Sequence, residues 1–365
     1  MKKIMFESAM PQVDDKKNNK RNLILLIVSA CLLLVAIIAA VYVLFLRDTS
    51  NAKTISQNAT ATNTPETFIY FSKLTGLGVR EEGEVNPRTT AVMIDNNPDA
   101  YPLYGLNDAA VVYEAPVEGG ITRFMAIYSA SSTAEQVGPV RSARPYYLDW
   151  ASEYGDALYM HCGGSSDGLK EIKKMNIFDA NEFFRGPYFW RDRIRIAPYN
   201  LYTSSERWQK YFIDYGGARA VKDWVGWKFG DVATGTESVA KFSLEYIKRF
   251  TVGWQFSVSS TKYERLLNDE LFLDDKNQPV TADNVIVQFA SVSVLDEVGR
   301  RKIVTVGSGE ARVFRGGRMI RATWKKESED SRTIFLDEAG NEITLTAGRT
   351  WVMVAPLGAE LTISN

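Results

Sequence analysis

Two carboxylates four residues apart, a lone histidine and a set of arginines beside glycine turns are the side chains here that could do chemistry. Glu114 and Glu118 flank Pro116. A carboxyl pair can cleave a glycosidic bond, one group as acid and the other as base or nucleophile. On a helix a spacing of four would put them on one face. Pro116 and Gly119 argue instead for strand and loop, and the alternative role is ion pairing with Arg123 or Arg141. His161 is the only histidine, and a histidine can act as general acid or base near neutral pH. These three, Glu114, Glu118 and His161, are the catalytic candidates. Cys162 follows His161, but neighbours on a strand point to opposite faces, so a thiol–imidazole pair within hydrogen-bond reach is not expected. Gly164-Ser165-Ser166-Asp167-Gly168 matches the nucleophile-elbow pattern. That class of hydrolase needs a histidine after the serine, and none follows.

The binding candidates are Arg123, Arg141, Ser142, Arg144, Gly163, Gly164, Ser165 and Asn200. Gly163-Gly164-Ser165 lies between an expected strand and an expected helix. Glycine lets a backbone approach a ligand closely, and a helix N-terminus presents free N–H groups. Arg141 and Arg144 precede a second expected helix and could hold a carboxylate or phosphate through charge-assisted bonds. The competing reading is a set of ordinary strand–helix turns with arginine–glutamate pairs.

Other chemistries find no residues. The sequence has no Cys-x-x-Cys, no His-Glu-x-x-His, no EF-hand loop, no Walker loop and no dinucleotide fingerprint, so neither metal nor cofactor is expected. Lys+Arg 43 against Asp+Glu 44 leaves a formal charge of −1, without the basic excess of a nucleic-acid binder.

Apolar runs of strand length position these residues: Ala91–Ile94, Ala109–Tyr113, Arg123–Tyr128 and Ala157–His161, each bounded by Gly, Pro, Asn or Asp. Between them, Tyr146, Tyr147, Trp150 and Tyr154 share one helix face after Pro145. A second helix is expected from Asp167 to about Met175, capped by Ser165 or Ser166. From Phe242 onward short β-branched and aromatic strands dominate. Gly316-Gly317 between matched arms predicts a two-residue hairpin, and the strand spacing suggests a small sandwich or barrel. The expected fold class is α+β: a mixed α/β domain over 68–235, then a mainly antiparallel β-domain over 236–365.

Ahead of these lies a membrane signal. Leu23–Leu46 is 24 residues without a charge, long enough to cross a ~30 Å hydrocarbon core. Residues 1–22 carry Lys2, Lys3, Lys16, Lys17, Lys20 and Arg21. The positive-inside rule keeps that end in the cytoplasm and puts the bulk of the chain outside. Residues 47–67 read as a flexible Thr/Asn/Ala tether. The rival is a lipoprotein: Val28-Ser29-Ala30-Cys31 has the form of a lipid-acceptor box, although the apolar run continues beyond Cys31.

Several motifs together carry a resemblance: Glu118-Gly119-Gly120-Ile121-Thr122-Arg123-Phe124, Gly138-Pro139-Val140-Arg141-Ser142-Ala143-Arg144, His161-Cys162-Gly163-Gly164-Ser165, Asn200-Leu201-Tyr202-Thr203-Ser204, Val313-Phe314-Arg315-Gly316-Gly317, and Thr350 to Pro356. The chain resembles the YerB-like family over roughly residues 68–362. These are membrane-attached surface proteins of Gram-positive bacteria, with an N-terminal domain of unknown function and a companion C-terminal domain. The resemblance implies location and architecture but no reaction. The expectation is an extracytoplasmic envelope protein with a single membrane span. It would bind a cell-wall glycan, a wall precursor or a wall-synthesis protein, with a glycan-cleaving enzyme as the alternative.

Overall fold

A computed structural model describes Leu33, Ile37 and residues 68–364 apart from 218, 220, 231–236, 248 and 249. Apart from Leu33 and Ile37, the expected membrane span lies outside the described residues, as do the tether and Cys31.

The principal elements run β1 (Thr89–Ile94), β2 (Val111–Pro116), β3 (Thr122–Ser129), α1 (Pro145–Ala151), β4 (Leu158–His161), α2 (Ser166–Lys174), β5 (Asp179–Asn181) and α3 (Ser205–Tyr215). The second half adds β6 (Lys241–Ile247), β7 (Phe250–Ser257), β8 (Lys262–Leu267), β9 (Asn284–Ala290), β10 (Val292–Val294), β11 (Arg301–Ile303), β12 (Gly307–Arg315), β13 (Arg318–Lys326), β14 (Thr350–Pro356) and β15 (Leu361–Ser364).

One sheet takes strands from both halves, in the order β13-β12-β9-β14-β2-β3-β1-β4-β5. The join is β14, which runs parallel both to β9 and to β2 (Thr350 opposite Val111). β1, β2 and β14 are buried along almost their whole length, as strands covered on both faces must be. One face, with Ala91, Met93, Tyr113 and Met125, packs on Tyr146, Tyr147 and Trp150 of α1. The other, with Val92, Ile94, Val112 and Phe124, packs on α3 and on Phe242, Val252, Trp254 and Tyr263 of a second sheet. That sheet contains β8-β7-β6-β15. The architecture is therefore mixed sheets with few helices. The second half does not close a barrel or sandwich of its own, because its longest strands extend the shared sheet.

Local chemistry explains most boundaries. α1 starts with Pro145 in its first turn and gives way at Ser152–Tyr154 to a 3-10 turn before Gly155, so the expected helix is one turn shorter. Ser165 caps α2 by accepting the N–H of Gly168 at 3.1 Å. Arg315 faces Arg318 across Gly316-Gly317, both at positive φ, the hairpin expected from two adjacent glycines.

An arginine groove as candidate functional site

β1, β2 and β4 end, and β3 begins, at one edge of the shared sheet. Asp95 is the first residue past β1 and is 1 % exposed. Its Oδ1 accepts the N–H groups of Asn96 and Asn97, and its Oδ2 lies 2.7 Å from Arg141 Nε. The Arg141 guanidinium stands 5.9 Å from the centre of the Tyr199 ring. Its backbone is clamped, donating to Met93 and accepting from Cys162. Its side chain remains 26 % exposed. A buried carboxylate thus lies against the Nε edge of a guanidinium whose side chain is partly open to water.

Arg144 serves a different partner. Three residues apart on an extended segment, the two arginines point to opposite sides. Arg144 forms a two-pronged pair with Glu118, Nε to Oε1 and Nη2 to Oε2, both at 2.7 Å. Burial pushes the Glu118 carboxyl up, but the hydrogen bonds and charge of Arg144 outweigh it and hold the group below its ordinary range. Arg123 is 4 % exposed and donates to the Ser142 carbonyl at 2.9 Å. Burial first, and then the charges of Arg144 and Arg141, lower its affinity for its proton. Arg123 and Ser142 are braces under the groove.

The glycine turn is internally satisfied. Gly163, at φ +59°, donates to Asn181 Oδ1 at 3.0 Å, and its carbonyl accepts from Ala143. Gly164 bridges Ala143, and Ser165 donates to the Ala143 carbonyl. The turn therefore shapes the groove without offering a nest of free N–H donors. His161 lies beneath it, fully buried. Nδ1 is 2.6 Å from the Gly163 carbonyl and Nε2 is 3.1 Å from Asp179 Oδ2. Both ring nitrogens are engaged in holding the turn.

Cys162 turns the other way, its Sγ 3.5 Å from Glu182 and 3.9 Å from Arg191. Burial and the Glu182 charge push its thiol up, opposite to what a nucleophile needs. Arg191 also pairs with Glu182 at 3.2 Å and donates to Asn200 Oδ1 at 3.0 Å.

Glu114 is not at this edge groove. Fully buried on the opposite sheet face, it accepts from Thr122 Oγ1 (2.7 Å), Arg265 Nη2 (2.8 Å) and Trp351 Nε1 (2.9 Å). The structure does not bring Glu114, Glu118 and His161 together. It does bring Arg141 beside Asp95 and Tyr199, and Asn200 beside Arg191, partners that sequence reading missed. The signal for Asp95 was its place as the first polar residue after a strand. That for Arg191 was the arginine-rich run Arg191 to Arg195. Among the described residues no three His, Cys, Asp or Glu side chains gather as a metal site. A solvent-open cleft of about 1210 Å3, lined in part by Asp156, Phe178, Arg219 and Trp224, contains none of the expected site residues.

Known proteins resemble this chain over most of its length. Residues 74–218 match the N-terminal domain of DUF3048, a protein family of unknown function, and residues 242–352 match its C-terminal domain. The chain belongs to the DUF3048 family. It is 29% identical over 293 residues to the putative lipoprotein YerB of Bacillus subtilis (strain 168), covering 78% of this chain and 85% of that protein. It superposes on the crystal structure of the Bacillus subtilis YerB protein with a TM-score of 0.71 and 28% identity, covering 81% of this chain and 99% of YerB. The YerB-like resemblance is confirmed. In this DUF3048 chain Asp95, Arg141, Arg191, Tyr199 and Asn200 fall within the N-terminal match, whereas β14, which completes the sheet beside β2, begins at the end of the C-terminal match.

Proposed function

We propose that this DUF3048 protein is a membrane-attached, extracytoplasmic envelope protein that binds an acidic cell-wall ligand through Arg141 and does not turn it over. The observation that carries the reading is the Asp95–Arg141 pair. Asp95 Oδ2 lies 2.7 Å from Nε as an ion pair without hydrogen-bond alignment, and among the described residues neither terminal nitrogen of Arg141 donates a hydrogen bond. An arginine held this way is organised in advance for a carboxylate or phosphate, with little side-chain entropy left to lose. Arg144 is already neutralised by Glu118 and is a structural partner in this reading. The glycan-cleaving alternative lacks a reachable carboxyl pair, because Glu114 and His161 are fully buried.

The test is binding of the compact unit from residue 68 onward to purified wall material. Arg141→Gln is expected to lower affinity about tenfold or more, a loss of ~1.4 kcal/mol, with an unchanged melting midpoint. Wild-type binding by Arg141→Gln would remove the reading. Release of soluble wall products by the wild type would favour the enzyme.

For attachment, the name of the relative favours a lipid on Cys31 over an uncleaved span. Fatty-acid labelling that disappears in Cys31→Ala supports the lipid, and labelling that never occurs supports the span.

A further inference from the structure

Asn96 lies just past the end of β1, where a polar side chain ordinarily meets water, yet it is fully buried. Its amide is held at both ends. Oδ1 accepts from the Tyr101 hydroxyl at 2.8 Å, and Nδ2 donates to Thr122 Oγ1 at 2.6 Å. The Thr122 hydroxyl donates in turn to Glu114 Oε1 at 2.7 Å. Glu114 takes its remaining bonds from Arg265 on β8 and Trp351 on β14. In the other direction, the backbone N–H of Asn96 donates to Asp95 Oδ1 at 2.9 Å. Asp95 Oδ2 is the oxygen beside Arg141 Nε.

These links make one buried relay from the second half of the chain to the Arg141 site. Asn96, Thr122, Glu114, Arg265 and Trp351 are all fully buried, and Asp95 is nearly so. The Asn96 amide and the Thr122 hydroxyl each accept one bond and donate the next toward the Glu114 carboxylate, an order in which neighbouring hydrogen bonds strengthen one another. The Glu114–Arg265 pair alone would not need a path to Asp95. Asn96 supplies that path, because the residue whose side chain joins the relay is also the one whose backbone pins the Asp95 carboxylate.

We infer that Asn96 and Thr122 are positioning residues for the Arg141 site: through them the second half of the chain fixes the carboxylate against which Arg141 is set. The consequence for binding rests on Arg141 as the residue that holds the ligand; the relay itself does not.

The test compares single substitutions in the compact unit from residue 68 onward. Thr122→Val removes the hydroxyl with little change of shape, and Thr122→Ser keeps it. Thr90→Val is the control: Thr90 is also fully buried, on β1, but its hydroxyl has no hydrogen-bond partner among the described residues. The first readout is the side-chain Nε–H resonance of Arg141 in a nitrogen-correlated NMR spectrum, identified by its loss in Arg141→Gln. It is expected to shift in Thr122→Val, to return in Thr122→Ser and to stay in place in Thr90→Val. A resonance unmoved in folded Thr122→Val, or moved equally by Thr90→Val, would overturn the inference. Where Thr122→Val does not fold, Tyr101→Phe, which frees the other end of the Asn96 amide, takes its place under the same criteria. The second readout is binding to purified wall material, expected to weaken about threefold or more in Thr122→Val and to stay within about twofold in Thr122→Ser. A shifted resonance with binding lost in Arg141→Gln but kept in Thr122→Val overturns the positioning role. A shifted resonance with binding kept in Arg141→Gln as well leaves the relay standing and removes Arg141 as the ligand-holding residue.

Discussion

Replacing Glu114 by glutamine separates a structural carboxylate from a catalytic one. The side chain is fully buried, and among the described residues it alone accepts a hydrogen bond from the equally buried Arg265 guanidinium. The rings of Phe124, Phe272 and Trp351 lie 4.6–5.6 Å from that guanidinium and soften the loss without cancelling a full charge. Glutamine keeps an oxygen for Thr122 or Trp351 but leaves Arg265 uncompensated. Removing one partner of a buried pair costs ~3–5 kcal/mol. At roughly 2–4 °C per kcal/mol for a domain of this size, the melting midpoint should fall by on the order of 10 °C. Urea unfolding followed by tryptophan fluorescence provides the free energy without adding salt. Glu114→Gln combined with Arg265→Met should recover most of the loss, since an apolar replacement of both partners leaves no buried charge. A Glu114→Gln protein that melts like the wild type yet loses an activity would refute this reasoning and return Glu114 to the catalytic candidates.

Burial pushes the Asp149 carboxyl up to about 6, against the opposing effects of the Thr305 hydroxyl and Lys326. Because the folded state holds this proton more tightly, stability should fall by up to ~3 kcal/mol as pH rises from about 4 to about 6. Asp149→Asn should flatten that slope; midpoints measured from pH 4 to 7 check it, and an unchanged slope counts against it. In Gly163→Ala, the new Cβ would sit at positive φ and 2.8 Å from the Phe183 ring. A loss of ~1–2 kcal/mol is expected, with weakened wall binding, and an unaltered midpoint in thermal melts would contradict it. A fragment of residues 68–235 lacks β14 and Arg265, so it should show no cooperative melt; a sharp transition with protease resistance would show that the first half folds alone.

What was legible in the sequence was local. β1 to β4 stood out as apolar runs between breakers, Pro145 marked a helix start, and Gly316-Gly317 marked a hairpin. The helix end was misplaced because Tyr154 keeps the helical spacing while Gly155 has already turned the chain. Trp351–Ala355 stood out as one of the short strands after Phe242, but its neighbours in the sheet did not. Continuous apolar runs record burial on both faces and say nothing about which strand lies alongside. The arginines were picked out by type, yet their partners separate them: Asp95 for Arg141, Glu118 for Arg144, Ser142 for Arg123. Glu114 looked like half of a catalytic pair because its partner, Arg265, lies 151 residues further along, beyond any spacing rule.

The place of β14 also orders events in time. A chain that emerges N-terminus first can pair β2 with β3 at once, but the other edge of β2 waits for Thr350–Pro356. About 240 residues separate them, which at ~5–20 residues per second is on the order of 10–50 s of synthesis. Throughout that interval the half that carries Arg141 has a bare, apolar sheet edge of the kind that recruits other chains. Its safe passage depends on whatever shields that edge until the last strands arrive.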